Sequence, residues 1–187
     1  MPIAPGSYEL GPDLGTLTVR TGRGGAAAKA GHDLELEVTR WRATLEVGDA
    51  AAATLIADAR SLRVIRGSGG ITPLGDEEKA AIAQTIDDEV LRGSAIEFRS
   101  TRVDAAGDLL TVAGELELAG RRHAVTFDLA IAGGQLEGTA RIRQTDWGLK
   151  PYSALFGTLK VADEVVVAIS ATLPSPPKTA TRSEHDG

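Results

Sequence analysis

The 187-residue chain contains no cysteine, which excludes disulfide bonds, thiol redox chemistry and cysteine-ligated metal sites. Large rings are also scarce, because Phe, Trp and Tyr together make up only 4% of the residues. A platform of interleaved aromatics that stacks nucleic-acid bases is therefore not encoded. The apolar residues are mostly Ala, Val, Leu and Ile, and this composition favours β-structure around a smooth aliphatic interior.

Positive charge is in short supply. The chain has 20 Lys and Arg residues against 26 Asp and Glu residues, which gives a net charge of −6. A net acidic chain is a poor non-specific binder of phosphate backbones, so we expect no nucleic-acid partner.

Signals for export, membrane insertion and nucleophilic catalysis are missing as well. The opening residues MPIAPGSYELGP lack the basic and apolar regions of a secretory signal, so the sequence predicts a cytoplasmic protein. No apolar run approaches the roughly 20 residues of a membrane helix, so we expect no integral membrane segment. The nucleophile motif G-x-S-x-G does not occur. We therefore expect a non-enzyme, with no catalytic residue, no metal and no cofactor.

What is present is a series of alternating segments, of which residues 114–129, GELELAGRRHAVTFDL, are the most informative. Leu116 and Leu118 alternate with glutamates before Ala119-Gly120, and Val125, Phe127 and Leu129 resume the alternation afterwards. This pattern predicts an antiparallel hairpin with those five apolar side chains facing inward. Shorter alternating segments at regular spacing occur along the rest of the chain, from Tyr8 to about residue 173.

One segment has helical spacing instead. Asp76 to Leu91 carries an apolar stripe, and we interpret Asp76 as the N-cap, with Glu77 and Glu78 in the first turn. Many short strands interrupted by one helix predict a closed antiparallel barrel with a helical cover. The single domain spans residues 1–173, and the Pro-rich polar tail 174–187 is predicted to be disordered.

Four segments resemble the YceI-like family. The hairpin resembles its G-x-L-x-L-x-G-x-x-x-x-V-x-F-x-L pattern, and Ile96 to Thr101, Gly138 to Leu149 and Val161 to Ile169 resemble three further strands in the same order. Together these matches cover roughly residues 94 to 173. The family's histidine-containing opening is not matched, because Pro12 to Val19 has neither the histidine nor the aromatic.

The resemblance implies a lipocalin-like β-barrel that holds one long isoprenoid-type lipid, either a polyprenyl chain or an isoprenoid quinone, without catalysis. Two other readings stay open: a filled barrel that acts as a stress-related or interaction protein, and an enzyme acting on an isoprenoid or quinone substrate. A homodimer is also compatible with the sequence. We expect the ligand-binding residues to come from the inward side chains and rings, namely Leu17, Val19, His32, Leu34, Leu36, Trp41, Phe98, Phe127, Trp147 and Phe156. We expect Arg20, Arg23, Lys29 and His32 near the polar end of the ligand.

Two further motifs have simpler explanations. Gly22-x-Gly24-x-x-Ala27 fits a loose dinucleotide fingerprint, but the segment that follows it is too short for the crossover helix of a nucleotide-binding fold. We interpret it as a loop at the barrel rim. The histidines His32, His123 and His185 lack metal-ligand spacing.

Overall fold

Twelve β-strands and one helix make up the protein in a computed structural model that describes residues 3–154 and 159–175. The predicted ligand residue Phe156 and most of the predicted tail, residues 176–187, lie outside the described residues. The elements are β1 (Gly6–Leu10), β2 (Gly15–Gly24), β3 (His32–Val38), β4 (Trp41–Val47), β5 (Ala52–Asp58), β6 (Leu62–Gly69), α1 (Asp76–Thr85, continued by a π-helical turn Ile86–Leu91), β7 (Ala95–Ala106), β8 (Leu109–Leu118), β9 (Arg121–Ala132), β10 (Gln135–Arg143), β11 (Ser153–Ala154) and β12 (Leu159–Thr172).

The strands form one antiparallel sheet in the order β1-β4-β5-β7-β8-β9-β10-β12-β2-β3-β6, and β11 pairs with β12. The path returns on itself because β3 runs directly into β4, while β5 runs into β6 through one short turn. When each of these pairs is counted as one bent strand, the described strands form an eight-membered ring with β1 added outside it. The predicted lipocalin-like antiparallel barrel is confirmed. A ring of this size is wide enough to hold one small ligand.

The bend in this long hairpin is held by a compact corner. Thr39 and Arg40 interrupt one arm, and Ala59 to Ser61 interrupt the other. The Thr39 amide nevertheless donates to the Ser61 carbonyl at 3.1 Å, and the Asp58 amide to the Arg40 carbonyl at 3.0 Å. The buried Ser61 hydroxyl accepts from the Arg40 amide at 2.9 Å and donates to the Asp58 carbonyl at 2.8 Å. Backbone groups that the bend removes from the ladder are thus satisfied locally.

The predicted hairpin is β8 and β9, and its register pairs Leu118 with Arg121 across a two-residue turn. Ala119 and Gly120 have φ values of +52° and +75°. Positive φ at both central residues is the type I′ geometry, whose twist matches that of the flanking strands. All five predicted inward side chains, Leu116, Leu118, Val125, Phe127 and Leu129, face the barrel interior.

The helix begins at Asp76, so the predicted extent of 76–91 is confirmed but the N-cap assignment is wrong. Gly75 occupies the N-cap position and Asp76 is the first helical residue, joined in the first turn by Glu77 and Glu78. A glycine N-cap offers no side-chain acceptor, so the three carboxylates act on the helix dipole and not as a cap. Residues 76–85 contain no buried side chain, and Leu91 in the π-helical turn is the buried anchor.

The helix fills a gap in the wall of the barrel. β5 pairs with β7 up to Asp58 opposite Ala95, after which β6 continues with β3 as its partner among the described strands. The helix packs along β6 at the place where a further strand partner would lie. One side of this end of the barrel is therefore helix and not sheet.

The β8–β9 turn provides a test of this geometry. We expect Gly120→Ala to destabilise the protein by about 1 kcal/mol, because a Cβ at positive φ is strained. No atom lies within 4 Å of where that Cβ would be, so the cost is purely conformational. Gly24→Ala is the control: no positive φ is found there and the nearest atom is 4.0 Å away. Urea unfolding that shows equal stability for the two variants would contradict the turn assignment.

The corner predicts a pH dependence. Hydrogen bonds from the Arg40 guanidinium and the Arg60 amide hold the pKa of the Asp58 carboxyl below its usual value of 3.8. A lowered folded-state pKa gives stability that is present above the unfolded pKa and is lost as pH falls through the folded value. We expect Asp58→Asn to be less stable than the parent at pH 7 and the difference to shrink below about pH 4. Thermal unfolding from pH 7 to pH 2 measures this, and Arg40→Met should reproduce it. A difference that stays constant with pH would contradict it.

Candidate functional site

The barrel encloses a cavity of about 570 Å³ that opens at one end. A cluster of buried side chains, including Tyr8, Leu10, Val112 and Ile131, closes the opposite end, where β2 begins and β12 ends. Most lining residues are aliphatic, which is the consequence of a sequence rich in Ala, Val, Leu and Ile and poor in rings. The aliphatic lining includes Leu17, Val19, Leu34, Leu36, Leu45, Leu55, Ile96, Leu116, Val125, Leu129, Leu136, Ile142, Val165, Val167 and Ile169.

Two phenylalanines form an aromatic pair in the otherwise largely aliphatic wall. Phe98 on β7 and Phe127 on β9 lie across β8 from each other, with ring centroids 5.2 Å apart and planes tilted by 58°. A tilted pair at this distance is a favourable aromatic geometry. It stiffens one side of the cavity without filling it.

The helix supplies another part of the wall. Ile82 and Ile86 line the cavity together with Val90 and Leu91 of the π-helical turn. Ile82 and Ile86 of the apolar stripe therefore face the cavity, while Ile86 also packs, with Val90 and Leu91, in a buried hydrophobic cluster. The apolar stripe indicated that these helix residues face inward, but the sequence did not indicate that a cavity lies opposite them.

Polar side chains gather at the open end. Arg23, His32, Gln144, Tyr152 and Lys160 all contribute to the lining there, and the described lining contains no Asp or Glu. The cavity is thus apolar in its depth and polar, with cationic groups, at its mouth. This arrangement suits a ligand with a long apolar chain and one polar end.

Arg23 and His32 are held by the loops at the mouth. The Arg23 Nη1 group donates to the Gly31 carbonyl at 2.6 Å, and its Nε lies 3.7 Å from Asp33 Oδ1. His32 Nε2 lies 2.7 Å from the Thr72 carbonyl oxygen, so Nε2 carries the hydrogen of this bond. Any side chain at Gly69 would collide with the Arg23 guanidinium.

Gln144 is a cavity residue that the sequence reasoning missed. Its side chain is 8% exposed, and its Nε2 donates to the Ala162 carbonyl at 3.0 Å. Ala140, Ile142 and Gln144 share one phase of β10 and its end, and all three line the cavity. Extending the strand alternation two residues past Ile142 would have found it.

Most of the predicted ligand residues lie around the cavity. Leu17, Val19, His32, Leu34, Leu36, Phe98 and Phe127 line it. Trp41 and Trp147 do not: both are buried in packed clusters, at 6% and 3% exposure. Their large rings pack between elements of the fold, and a ring that is buried there does not line the cavity.

Of the four residues predicted at the polar end, Arg23 and His32 line the cavity and Arg20 and Lys29 do not. Arg20 lies on β2 at the opposite phase, exposed on the outer face opposite Glu35. Lys29 is exposed in the loop between β2 and β3. The rule that side chains alternate along a strand places Arg20 outside once Arg23 is inside.

The rim loop predicted at Gly22-x-Gly24-x-x-Ala27 is correct only in its second half, because Gly22 to Gly24 belong to strand β2 and the loop begins at Gly25. β2 extends to Gly24, and a three-residue 3₁₀ turn, Ala28–Ala30, leads into its antiparallel partner β3. Among residues 3–154 and 159–175, no group of three or more His, Cys, Asp or Glu side chains is arranged to hold a metal ion. The helix of the described chain is neither long nor apolar enough to cross a membrane.

Comparisons with known proteins identify relatives of this fold. The profile described as YceI-like domain matches residues 39–173. The structure of BcnA from Burkholderia cenocepacia is similar with a TM-score of 0.61 and 16% sequence identity, covering 86% of this chain and 96% of that one. A CJ YCEI protein mutant with a monobromobimane guest is similar with a TM-score of 0.55 and 10% identity, covering 75% and 84% of the two chains. No curated protein matches the chain.

The two tryptophans differ in one testable respect. Trp147 Nε1 donates to the Leu116 carbonyl at 2.9 Å, whereas the buried Trp41 Nε1 has no partner among the described residues. Replacing either ring by Phe removes similar volume, but only Trp147→Phe breaks a hydrogen bond. We expect Trp147→Phe to cost about 1–2 kcal/mol more than Trp41→Phe in urea unfolding. Equal losses would show that the indole hydrogen bond adds no net stability.

Proposed function

Because the chain belongs to the YceI-like family, we propose that it binds one long isoprenoid-type lipid in the barrel and stores or carries it without catalysing a reaction. The observation that supports this most directly is the aliphatic cavity of about 570 Å³. Its size falls within the range of sites that bury a small ligand. A barrel acting through its outer surface alone would fill this space with side chains.

The energetics suit a ligand made of repeated apolar units. Each methylene transferred from water to an apolar lining stabilises a complex by about 0.8 kcal/mol. A prenyl chain therefore gains affinity from length and fit, with few polar contacts needed. The apolar depth and polar mouth orient it with the chain end toward Leu10 and Leu136 and the head toward Arg23 and Gln144.

The shape of the cavity can be tested by filling it. Ala140 lines the cavity on β10, and we expect Ala140→Trp to weaken binding of a long prenyl alcohol at least tenfold, because the new ring occupies the space of the chain. Ala124→Trp is the matched control, since Ala124 is exposed on β9. Displacement of a fluorescent prenyl probe measures the affinity, and thermal unfolding checks that both variants fold.

Two results would argue against the proposal. One is that the parent protein binds no prenyl alcohol of any length and yields no lipid when its native mass is compared before and after extraction. The other is that a folded Ala140→Trp variant binds as tightly as the parent. The first result favours a partner protein as the ligand of the outer surface, and the second places the lipid elsewhere on the molecule.

A further inference from the structure

The charges that line the cavity are of one sign. Arg23 and Lys160 are the charged side chains of the described lining, and no carboxylate is among them. The chain as a whole has more acidic than basic residues, 26 against 20. The acidic first turn of the helix is exposed to solvent and outside the lining, where water and salt screen its charge.

Arg23 is the cation that faces inward. It lies on β2 in the same phase as Leu17 and Val19, and its register partner on β12 is Val161, which also lines the cavity. The side chain is only 29% exposed. A guanidinium in this position is partly removed from water beside an aliphatic wall, so an anion that reaches it is attracted more strongly than at the surface.

The orientation of the Arg23 guanidinium is fixed before a ligand arrives. The Gly31 carbonyl takes a hydrogen bond from Nη1, and Asp33 lies 3.7 Å from Nε with a side chain that is 45% exposed. These contacts use two of the three nitrogens and leave the Nη2 edge as the one for a ligand. Holding the fork in place lowers the entropy lost when a phosphate or carboxylate binds.

Two neighbours extend this polar end. Lys160 stands one residue before Val161, at the rim and exposed. Gln144 is buried and donates to the carbonyl of Ala162, one residue after Val161. A cation, a guanidinium fork and an amide therefore lie along one stretch of β12, at the mouth of an otherwise aliphatic cavity.

We infer that the cavity selects isoprenoid-type ligands with an anionic head, a phosphate ester or a carboxylate, over neutral alcohols and quinones of the same chain length, and that Arg23 determines this selectivity. The inference rests on the proposed function, because it concerns the head of the ligand whose chain fills the barrel. Charge-assisted hydrogen bonds from Arg to a phosphate are roughly twice as strong as neutral ones. A quinone carbonyl accepts a hydrogen bond but adds no negative charge, so the half-exposed Asp33 carboxylate, 3.7 Å from Nε, remains the ion partner of Arg23.

The experiment compares two ligands that share one chain, a prenyl monophosphate and the corresponding prenyl alcohol, by displacement of a fluorescent prenyl probe. The parent protein should bind the phosphate at least tenfold more tightly. Arg23→Gln should reduce this ratio to within about threefold, mainly by weakening the binding of the phosphate, and Arg23→Lys should restore part of it. Lys160→Gln should reduce the ratio by a smaller factor, because Lys160 is exposed.

Arg20→Gln is the matched control, since it removes the same charge from the same strand but on the outer face. We expect it to leave the ratio unchanged. Inorganic phosphate at millimolar concentration should not displace the probe, because the head binds tightly only when the chain is in the barrel. Displacement by inorganic phosphate would show a free-phosphate site and overturn the inference.

The remaining outcomes separate the two proposals. Equal binding of alcohol and phosphate by the parent overturns the selectivity but leaves lipid binding intact. Equal loss of the ratio in Arg20→Gln and Arg23→Gln also overturns it, because the effect would then be one of net charge. Binding of neither ligand overturns the proposed function and this inference together. If Arg23→Gln unfolds, the Arg23→Lys and Lys160→Gln variants decide the question.

Discussion

The barrel depends on one hairpin serving two sides of the ring. The arms that contain β3–β4 and β5–β6 pair with β1 and β7 in one half and with β2 in the other, and this is possible only because both arms bend at the same level. A bend removes backbone groups from the ladder, and a buried amide or carbonyl without a partner costs about 1–3 kcal/mol. Thr39, Arg40, Asp58 and Ser61 satisfy those groups, so the ring closes without an open edge at this point.

The cavity follows from the ring and from composition together. Inward positions of an eight-stranded barrel are enough to fill it when large rings occupy them. Here the two tryptophans are used between elements, and the ring pair Phe98 and Phe127 stays at one side of the wall. Gly138 adds to the effect, since it lines the cavity on β10 where a Cβ would collide with Leu129. The interior stays open because few large rings point into it and because one of its lining positions is a glycine.

The sequence predicted the local elements well because they are set by short-range alternation. The hairpin between Leu116 and Leu129, its inward phase and the helix from 76 to 91 all follow from the period of apolar residues and one glycine turn. The functions of single large side chains did not follow. Whether Trp41 packs between elements or lines the cavity depends on which elements surround it. The alternation of apolar residues indicates only which face of the sheet a side chain is on. Arg20 and Arg23 show this limit, because both were predicted near the polar end, although their positions three residues apart on β2 place them on opposite faces of the sheet.

The helix gives the wall of the barrel one segment with a different kind of backbone. Its hydrogen bonds are internal, whereas the strands β7, β8, β9, β10 and β2 each share theirs with two neighbours. Moving a strand outward would break a row of interstrand bonds, but shifting residues 76–85 would mainly break side-chain contacts. The buried Leu91 anchors the helix at its C-terminal end, and Gly69 and Gly70 adopt positive φ in the segment before it. The interior can therefore grow in volume on this side while the ring of strands stays intact. The boundary of the cavity is therefore set on this side by the packing of one helix and elsewhere by the hydrogen-bonded strands.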